Sequence, residues 1–194
     1  GAEPNDITYG RKEGDASFTE SLAAFLEKNY GQRVRADSLF LSGGASQALD
    51  YICTQLSRPG DSIIVEEPCY FLAYRIFKDH GLNIITVPLD RDGMDLDALE
   101  AVLSRVKPTL VYTIPIYQNP SGCSMSVERR KRLIALSQAH DFLIMADEVY
   151  HLLSYHGAPP AAFGTMLVGD TVLSVGSFTK ILAPGLRLGW IQTS

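Results

Sequence analysis

The hydrophobic and polar positions of this chain alternate between two periods. Short apolar runs, typical of strands buried on both faces, are separated by stretches with apolar residues three and four positions apart, typical of amphipathic helices. Turn residues such as Pro59-Gly60 and Gly81 stand at several junctions. The pattern predicts helices at 18–30, with Ser17 as N-cap, and at 47–56, 71–80, 95–103 and 127–139, and strands at 38–41, 62–66, 84–88, 110–114, 142–146, 171–175 and 186–191.

The order of these elements predicts the fold class. Seven candidate strands, several of them continuously apolar, alternate with helices, and βαβ crossovers are the economical way to join such strands. We therefore expect an α/β fold with three layers, in which helices cover both faces of a mostly parallel seven-stranded sheet. The chain shows no internal repeat, and its least patterned stretch, 152–169, is predicted to be a loop.

Composition excludes several classes of protein. The 194 residues are 46% hydrophobic and 20% charged, which excludes a disordered tail, a collagen-like fibre and a coiled coil. The apolar runs are too short to cross a bilayer, and no leader is visible at the start, so we expect no membrane partner. A net charge of −5 makes nucleic acid a poor partner. The basic cluster 129–132 is predicted to be a solvated helix face.

The cysteines indicate a reducing compartment. Cys53, Cys69 and Cys123 have spacings that fit no zinc site, and their odd number argues against a disulfide framework. We interpret them as small apolar core residues and expect no metal and a cytoplasmic location.

Polar and small residues follow several predicted strands, at the edge where ligands bind to open α/β sheets. The string Gly43-Gly44-Ala45-Ser46 either offers backbone N–H groups to an anion or forms a plain turn with Ser46 as N-cap. Tyr70 either stacks on a flat ligand or opens a helix as a core residue. Asn119 belongs to a sequence typical of a turn, Asn119-Pro120-Ser121-Gly122, and its amide can also donate a hydrogen bond to a ligand oxygen.

The fifth and sixth strands lead into charged residues. Burial of Asp147 is costly unless a cation pairs with its carboxylate, so Asp147 is either a buried partner of a cation or a helix cap. The adjacent Glu148 is expected to be solvated. Tyr150 would share one side of a helical turn with Asp147. Lys180, with little other charge before Arg187, is either a surface lysine or an amine nucleophile.

Taken together, these residues match what a protein must supply to pyridoxal phosphate. That cofactor needs a phosphate nest, a lysine for covalent attachment and a carboxylate beside its ring nitrogen. Neither GxGxxG nor GxxxxGK[ST] occurs, so a dinucleotide or a nucleoside triphosphate is not indicated.

The chain resembles the fold-type I pyridoxal-phosphate enzymes, specifically the class I and II aminotransferases. Within them it is most similar to the 2-aminoadipate (kynurenine-type) and aromatic amino-acid aminotransferases, along essentially its whole length. The resemblance rests on SGGASQAL (42–49), EEPCYF (66–71), QNPSG (118–122), ADEVY (146–150), GSFTK (176–180) and PGLRLG (184–189).

The resemblance implies a role for ten residues. Lys180, Asp147 and Tyr70 would be catalytic: Lys180 holds the cofactor covalently and moves protons, Asp147 pairs with the pyridine nitrogen, and Tyr70 stacks on the ring. The other implied cofactor contacts are Asn119 and Tyr150 to the phenolic oxygen, Ala45 (through its N–H), Ser46, Ser177 and Arg187 to the phosphate, and Tyr9 to the phosphate of the neighbouring subunit of a homodimer.

The implied activity is pyridoxal-phosphate-dependent transamination of an L-amino acid with a 2-oxo acid by a ping-pong Schiff-base mechanism. Residues 1–194 would be the cofactor-binding large domain, without the family's small C-terminal domain and N-terminal segment, so that the fragment alone turns over poorly. Alanine stands at position 45, where relatives often have serine. Three alternatives remain: the effector domain of a winged-helix transcription regulator, a pyridoxal-phosphate-dependent β-lyase or decarboxylase, and a domain for another phosphate ligand.

Overall fold

The computed structural model describes residues 16–31, 33–115, 124–149, 170–177 and 189–193. Within these ranges the helices are α1 (Ala16–Tyr30), α2 (Ala45–Leu56), α3 (Phe71–Asp79), α4 (Leu96–Leu103) and α5 (Val127–His140). The strands are β1 (Leu39–Ser42), β2 (Ser62–Glu67), β3 (Asn83–Asp90), β4 (Gly93–Met94), β5 (Leu110–Thr113), β6 (Leu143–Asp147), β7 (Val172–Ser177) and β8 (Gly189–Gln192).

The described strands form one mixed sheet in the order β1-β8-β7-β6-β5-β2-β3-β4. Strands β3, β2, β5, β6 and β7 are parallel neighbours at its centre, whereas β8 and β4 pair antiparallel with their neighbours. Because β1 and β7 are both antiparallel to β8, they run in the same direction. The carboxyl ends of β1, β2, β5, β6 and β7 therefore share one edge of the sheet.

The α/β class is confirmed, but the predicted number of seven strands is wrong, since the described sheet has eight. The additional strand, β4, contains only Gly93 and Met94, which is too short to show any periodicity. It folds back on the end of β3, where Met94 pairs with Leu89. The expectation of a mostly parallel sheet holds for its centre and not for its two ends.

Two buried clusters, one on each face of the sheet, confirm the three layers. Side chains such as Ile64, Val111 and Ile144 pack with α4 and α5. Their neighbours in sequence, among them Tyr112 and Met145, pack with α2 and α3 on the opposite face. This alternation follows from the period of two along a strand, and it buries apolar residues on both faces.

Helix α1 covers the β1–β8 end of the sheet. Its buried residues Leu22 and Leu26 pack against Leu39 and Trp190. The helix already includes Ser17, so the prediction of Ser17 as its N-cap is wrong. No helix in the described ranges combines the length and the hydrophobicity that crossing a membrane requires.

The basic cluster at 129–132 is predicted to be a solvated face, and this holds for Lys131 and Arg132 but is wrong for Arg130. Arg130 is fully buried, and it donates two hydrogen bonds to the carbonyl oxygen of Met125, at 2.9 and 3.2 Å. The neighbouring arginines bind acidic residues of β3 and α4: Arg129 binds Asp90 at 2.9 Å, and Arg132 binds Asp97 at 2.6 Å. The cluster thus fastens α5 to the β3–α4 segment.

Candidate active site

Five of the ten predicted site residues lie in the described ranges, and all five are at the shared carboxyl edge of the sheet. They are Ala45 and Ser46 after β1, Tyr70 after β2, Asp147 at the end of β6 and Ser177 at the end of β7. The other five lie outside the described residues: Tyr9, Asn119, Tyr150, Lys180 and Arg187.

The strand register brings the described candidates together. Gly189 of β8 pairs with Ser42 on one side and with Ser177 on the other. Asp147 pairs with Val175, two residues before Ser177. Paired residues on adjacent strands are about 5 Å apart, so the end of β1, Ser177 and Asp147 line one short stretch of the edge.

The turn between β1 and α2 exposes the start of a helix. Gly44 is the N-cap, with φ 112°, a conformation that favours glycine. A methyl group at position 189 would lie 2.7 Å from the carbonyl carbon of Gly44, which is closer than van der Waals contact. Only glycine at position 189 therefore allows β8 to pack this closely against the turn.

The first hydrogen bond of α2 runs from the Ala48 N–H to the Gly44 carbonyl, at 3.1 Å. The N–H groups of Ala45, Ser46 and Gln47 have no carbonyl partner within the helix, and the helix dipole favours an anion beside them. Ser46 is exposed and lies inside the helix, so the alternative in which Ser46 is the N-cap is wrong.

Asp147 is a buried carboxylate, only 2% exposed. Its Oδ2 accepts a hydrogen bond from the Tyr112 hydroxyl at 2.8 Å, and its Oδ1 has a longer contact, 3.4 Å, with the Val149 N–H. Burial raises the pKa of Asp147 from 3.8 to about 6, although both hydrogen bonds oppose the rise. A cation beside this carboxylate would restore its ionised form.

Tyr112 is a site residue that the sequence reasoning missed. Its side chain is 1% exposed, and its ring meets Phe77 edge-to-face with 5.1 Å between centroids. Burial raises the pKa of Tyr112 well above 10, and the neighbouring charge of Asp147 raises it further, so the phenol remains a donor. A tyrosine inside an apolar strand needs a polar partner for its hydroxyl, and that requirement is the signal available in the sequence.

Tyr70 opens a helix beside the core, which is one of the two alternatives that the sequence offered, and its stacking on a flat ligand stays a prediction. It is half-buried and packs against the cluster that contains Tyr112, and it also directly precedes α3, with its carbonyl accepting from the Tyr74 N–H at 3.0 Å. The adjacent Cys69 thiol has a pKa raised to about 12, mainly by burial. Cys53 and Cys69 are both free thiols.

A second set of buried polar groups lies on the opposite face of the same edge. Glu66 is 1% exposed and accepts hydrogen bonds from the Thr113 hydroxyl and, at 3.2 Å, from the Ile114 N–H. Glu148 is 4% exposed, so the expectation that it is solvated is wrong. It continues the face of β6 that packs on α5, where its charge opposes the lowering of the Arg130 pKa by burial.

Comparison with known proteins agrees with this arrangement. Aromatic-amino-acid aminotransferase 1 of Thermococcus litoralis is 37% identical over 190 residues, which are 95% of this chain and 46% of that protein. An uncharacterized HTH-type transcriptional regulator of Bacillus subtilis, YdfD, is 31% identical over 183 residues, 94% of this chain and 38% of that protein. The crystal structure of Pyrococcus horikoshii kynurenine aminotransferase, in complex with PMP, superposes with a TM-score of 0.89 at 36% identity, over 97% of this chain and 48% of that one.

The chain spans about half the length of the aminotransferases that it matches. The family model described as aminotransferase class I and II matches residues 1–194. The fold, the edge that carries the candidate residues and this match lead to one assignment: the chain belongs to the class I and II aminotransferase family.

Proposed function

We propose that this chain is the cofactor-binding domain of a pyridoxal-phosphate-dependent aminotransferase, which transfers an amino group from an L-amino acid to a 2-oxo acid. The observation that carries the proposal is Asp147. This carboxylate is 2% exposed and has a pKa of about 6. Among the residues that the structure describes, no cation stands beside it, and the protonated ring nitrogen of pyridoxal phosphate is a cation that would pair with it.

The described residues fit the cofactor at both of its charged ends. The start of α2, with the Ala45 N–H and the exposed Ser46, suits a phosphate group, and Ser177 lies two strands away along the same edge. Tyr70 supplies an aromatic ring between this edge and α3. When bound, the cofactor withdraws electrons from the Cα of an amino acid joined to it.

The protein groups would perform distinct tasks. Asp147 would keep a proton on the ring nitrogen, because its negative charge favours the protonated form. Burial strengthens that interaction by excluding water. The N–H groups of α2 would hold the phosphate and so fix the position of the ring.

The remaining tasks are proposed for residues outside the described ranges. The resemblance in sequence assigns covalent attachment and proton transfer to Lys180, ring contacts to Asn119 and Tyr150, and phosphate contacts to Arg187 and Tyr9.

We also propose that the protein is a homodimer in the cytoplasm. Three apolar residues at the start of α3, beside the candidate site, are exposed: Phe71, Leu72 and Tyr74, at 70%, 42% and 37%. A second subunit would cover them, and Tyr9 would reach the neighbouring phosphate across such an interface. The free thiols of Cys53 and Cys69 agree with a reducing compartment.

Covalent trapping tests the proposed function. The complete protein is incubated with pyridoxal phosphate, reduced with borohydride and digested, and the labelled peptide is identified by mass spectrometry. We expect the label on Lys180, its loss in Lys180→Ala, and no change in the control Lys78→Ala, which alters an exposed lysine of α3. A label of equal strength in Lys180→Ala protein would refute the assignment.

The similarity to a transcription regulator supports a second candidate, in which the same domain binds the cofactor and serves as an effector domain. The two candidates differ in turnover and in the complete sequence. An aminotransferase converts 2-oxoglutarate to glutamate with a suitable amino donor, whereas a regulator carries a helix-turn-helix segment and binds DNA. Product analysis in the same assay also detects a β-lyase or a decarboxylase.

A further inference from the structure

We infer that Tyr112 is a positioning residue for the cofactor: its hydroxyl holds Asp147 in the orientation, and in the ionised state, that a protonated ring nitrogen requires. The inference deepens the proposed function and rests on it for the identity of the cofactor. The contact itself, a hydrogen bond of 2.8 Å between two buried side chains 35 residues apart in sequence, belongs to the protein alone.

The strand register produces this contact. Tyr112 on β5 pairs with Met145 on β6, and Asp147 lies two residues further along β6 on the same face. The tyrosine is long enough to reach this diagonal neighbour. Its ring is held against Phe77 of α3, with 68° between the ring planes, so packing fixes the direction of the hydroxyl.

The two oxygens of Asp147 have unequal partners. Oδ2 accepts the short hydrogen bond from Tyr112, whereas Oδ1 has only the 3.4 Å contact with the Val149 N–H. A carboxylate oxygen accepts more than one hydrogen bond. With one oxygen fixed by the phenol, Asp147 retains the capacity to accept from a protonated nitrogen without rotating.

The burial of Asp147 makes this donor important. Among the described residues, the titratable groups that act on Tyr112, besides Asp147, are the Cys69 thiol and the Glu66 carboxyl. Cys69 remains neutral because burial raises its pKa to about 12, and the negative charge of Glu66 raises the pKa of both Cys69 and Tyr112, so both stay protonated. The Tyr112 hydroxyl thus counters the burial of Asp147, which is the largest influence on the pKa of that carboxyl.

The variant Tyr112→Phe tests the inference, because it removes the hydroxyl and keeps the ring against Phe77. Thr113→Val is the matched control. It removes the next hydroxyl of β5, which is also buried and also donates to a carboxylate, but it does so on the opposite face, at Glu66. Both variants are made in the complete protein.

Two measurements are made on each protein. Infrared difference spectra of protein freed of cofactor follow protonation of the Asp147 carboxyl with pH, and Asp147→Asn identifies its band. We expect the midpoint to rise in Tyr112→Phe and to stay at the parent value in Thr113→Val. Titration with pyridoxal phosphate at pH 7 is expected to show binding about ten-fold weaker in Tyr112→Phe, as loss of one hydrogen bond to a charged group predicts.

An unchanged midpoint in Tyr112→Phe, or an equal rise in Thr113→Val, would overturn the inference. Should Tyr112→Phe not fold, incorporation of 3-fluorotyrosine at position 112 replaces it. The more acidic phenol is a stronger donor, and the midpoint is then expected to fall; a constant midpoint would contradict the inference. If the parent protein binds no pyridoxal phosphate, the proposed function fails, and the infrared midpoints alone decide whether Tyr112 controls Asp147.

Discussion

Replacement of Asp147 by asparagine should change how the stability of the cofactor-free protein depends on pH. The folded protein buries this carboxyl and raises its pKa from 3.8 to about 6, whereas the unfolded chain leaves it at its ordinary value. Well below pH 3.8 the acid is protonated in both states. Between pH 4 and 6 the unfolded chain loses its proton first, so the free energy of unfolding falls as the pH rises.

The size of the effect follows from the two pKa values. Their difference corresponds to about 3 kcal/mol of unfolding free energy. The parent protein loses most of this stability between pH 4 and pH 7, whereas Asp147→Asn does not. Asparagine keeps an oxygen that can accept from Tyr112. The absolute stability of the variant also contains the cost of its new amide hydrogens, so the comparison uses the change with pH.

Chemical denaturation at a series of pH values measures this difference. Asp90→Asn is a control of opposite sign, because the hydrogen bond from Arg129 lowers the pKa of Asp90 and thereby stabilises the parent as the pH rises. Bound pyridoxal phosphate should reduce the loss of unfolding free energy that Asp147 causes between pH 4 and 7, since a cation beside the carboxylate favours its ionised form. Parallel curves for the parent and Asp147→Asn between pH 4 and 7 would refute this account of the buried carboxylate.

Three further substitutions test the packing around the site by chemical denaturation. In Gly176→Ala, the added methyl overlaps the ring of Trp190, and we expect a loss of about 1–3 kcal/mol; unchanged stability would mean that β7 and β8 are not packed as described. Asp95→Ala removes the cap bonds to the N–H groups of Asp97 and Ala98 at 3.0 and 3.1 Å, for an expected loss of about 1 kcal/mol; a loss below about 0.3 kcal/mol would contradict the cap. Arg130→Ala removes a fully buried cation and its two bonds to Met125, so we expect about 3–5 kcal/mol, far more than for the exposed neighbour in Lys131→Ala; equal effects would restore the solvated-face interpretation.

The fold class was predictable because its signal is local. Continuous apolar runs such as 63–65 and 143–146 mark strands that are buried on both faces, and the helices between them have their own period. The two-residue strand β4 has no period to detect. Burial of Arg130 and Glu148 was not predictable, because a charged residue on a helix or after a strand is exposed by default unless its neighbours in space are known.

Part of the candidate site was predictable because ligands bind at the carboxyl edge of a parallel sheet. Reading the residues after each strand found Asp147 and Ser177 without any knowledge of strand order. Tyr112 lies inside a strand, and its partner is 35 residues away. Only the register of β5 on β6 brings the two side chains together, and the pattern within each strand does not show which residue of the other strand it faces.

The most direct test of the central claim is the protonation state of the ring nitrogen in bound pyridoxal phosphate. The cofactor is labelled with 15N, bound to the complete protein, and observed by nuclear magnetic resonance near neutral pH. We expect the ring nitrogen to be protonated in the parent protein, where the Asp147 carboxylate is beside it. In Asp147→Ala, we expect the ring nitrogen to lose its proton. The same nitrogen signal in both proteins would contradict the claim that this buried aspartate is the partner of the cofactor.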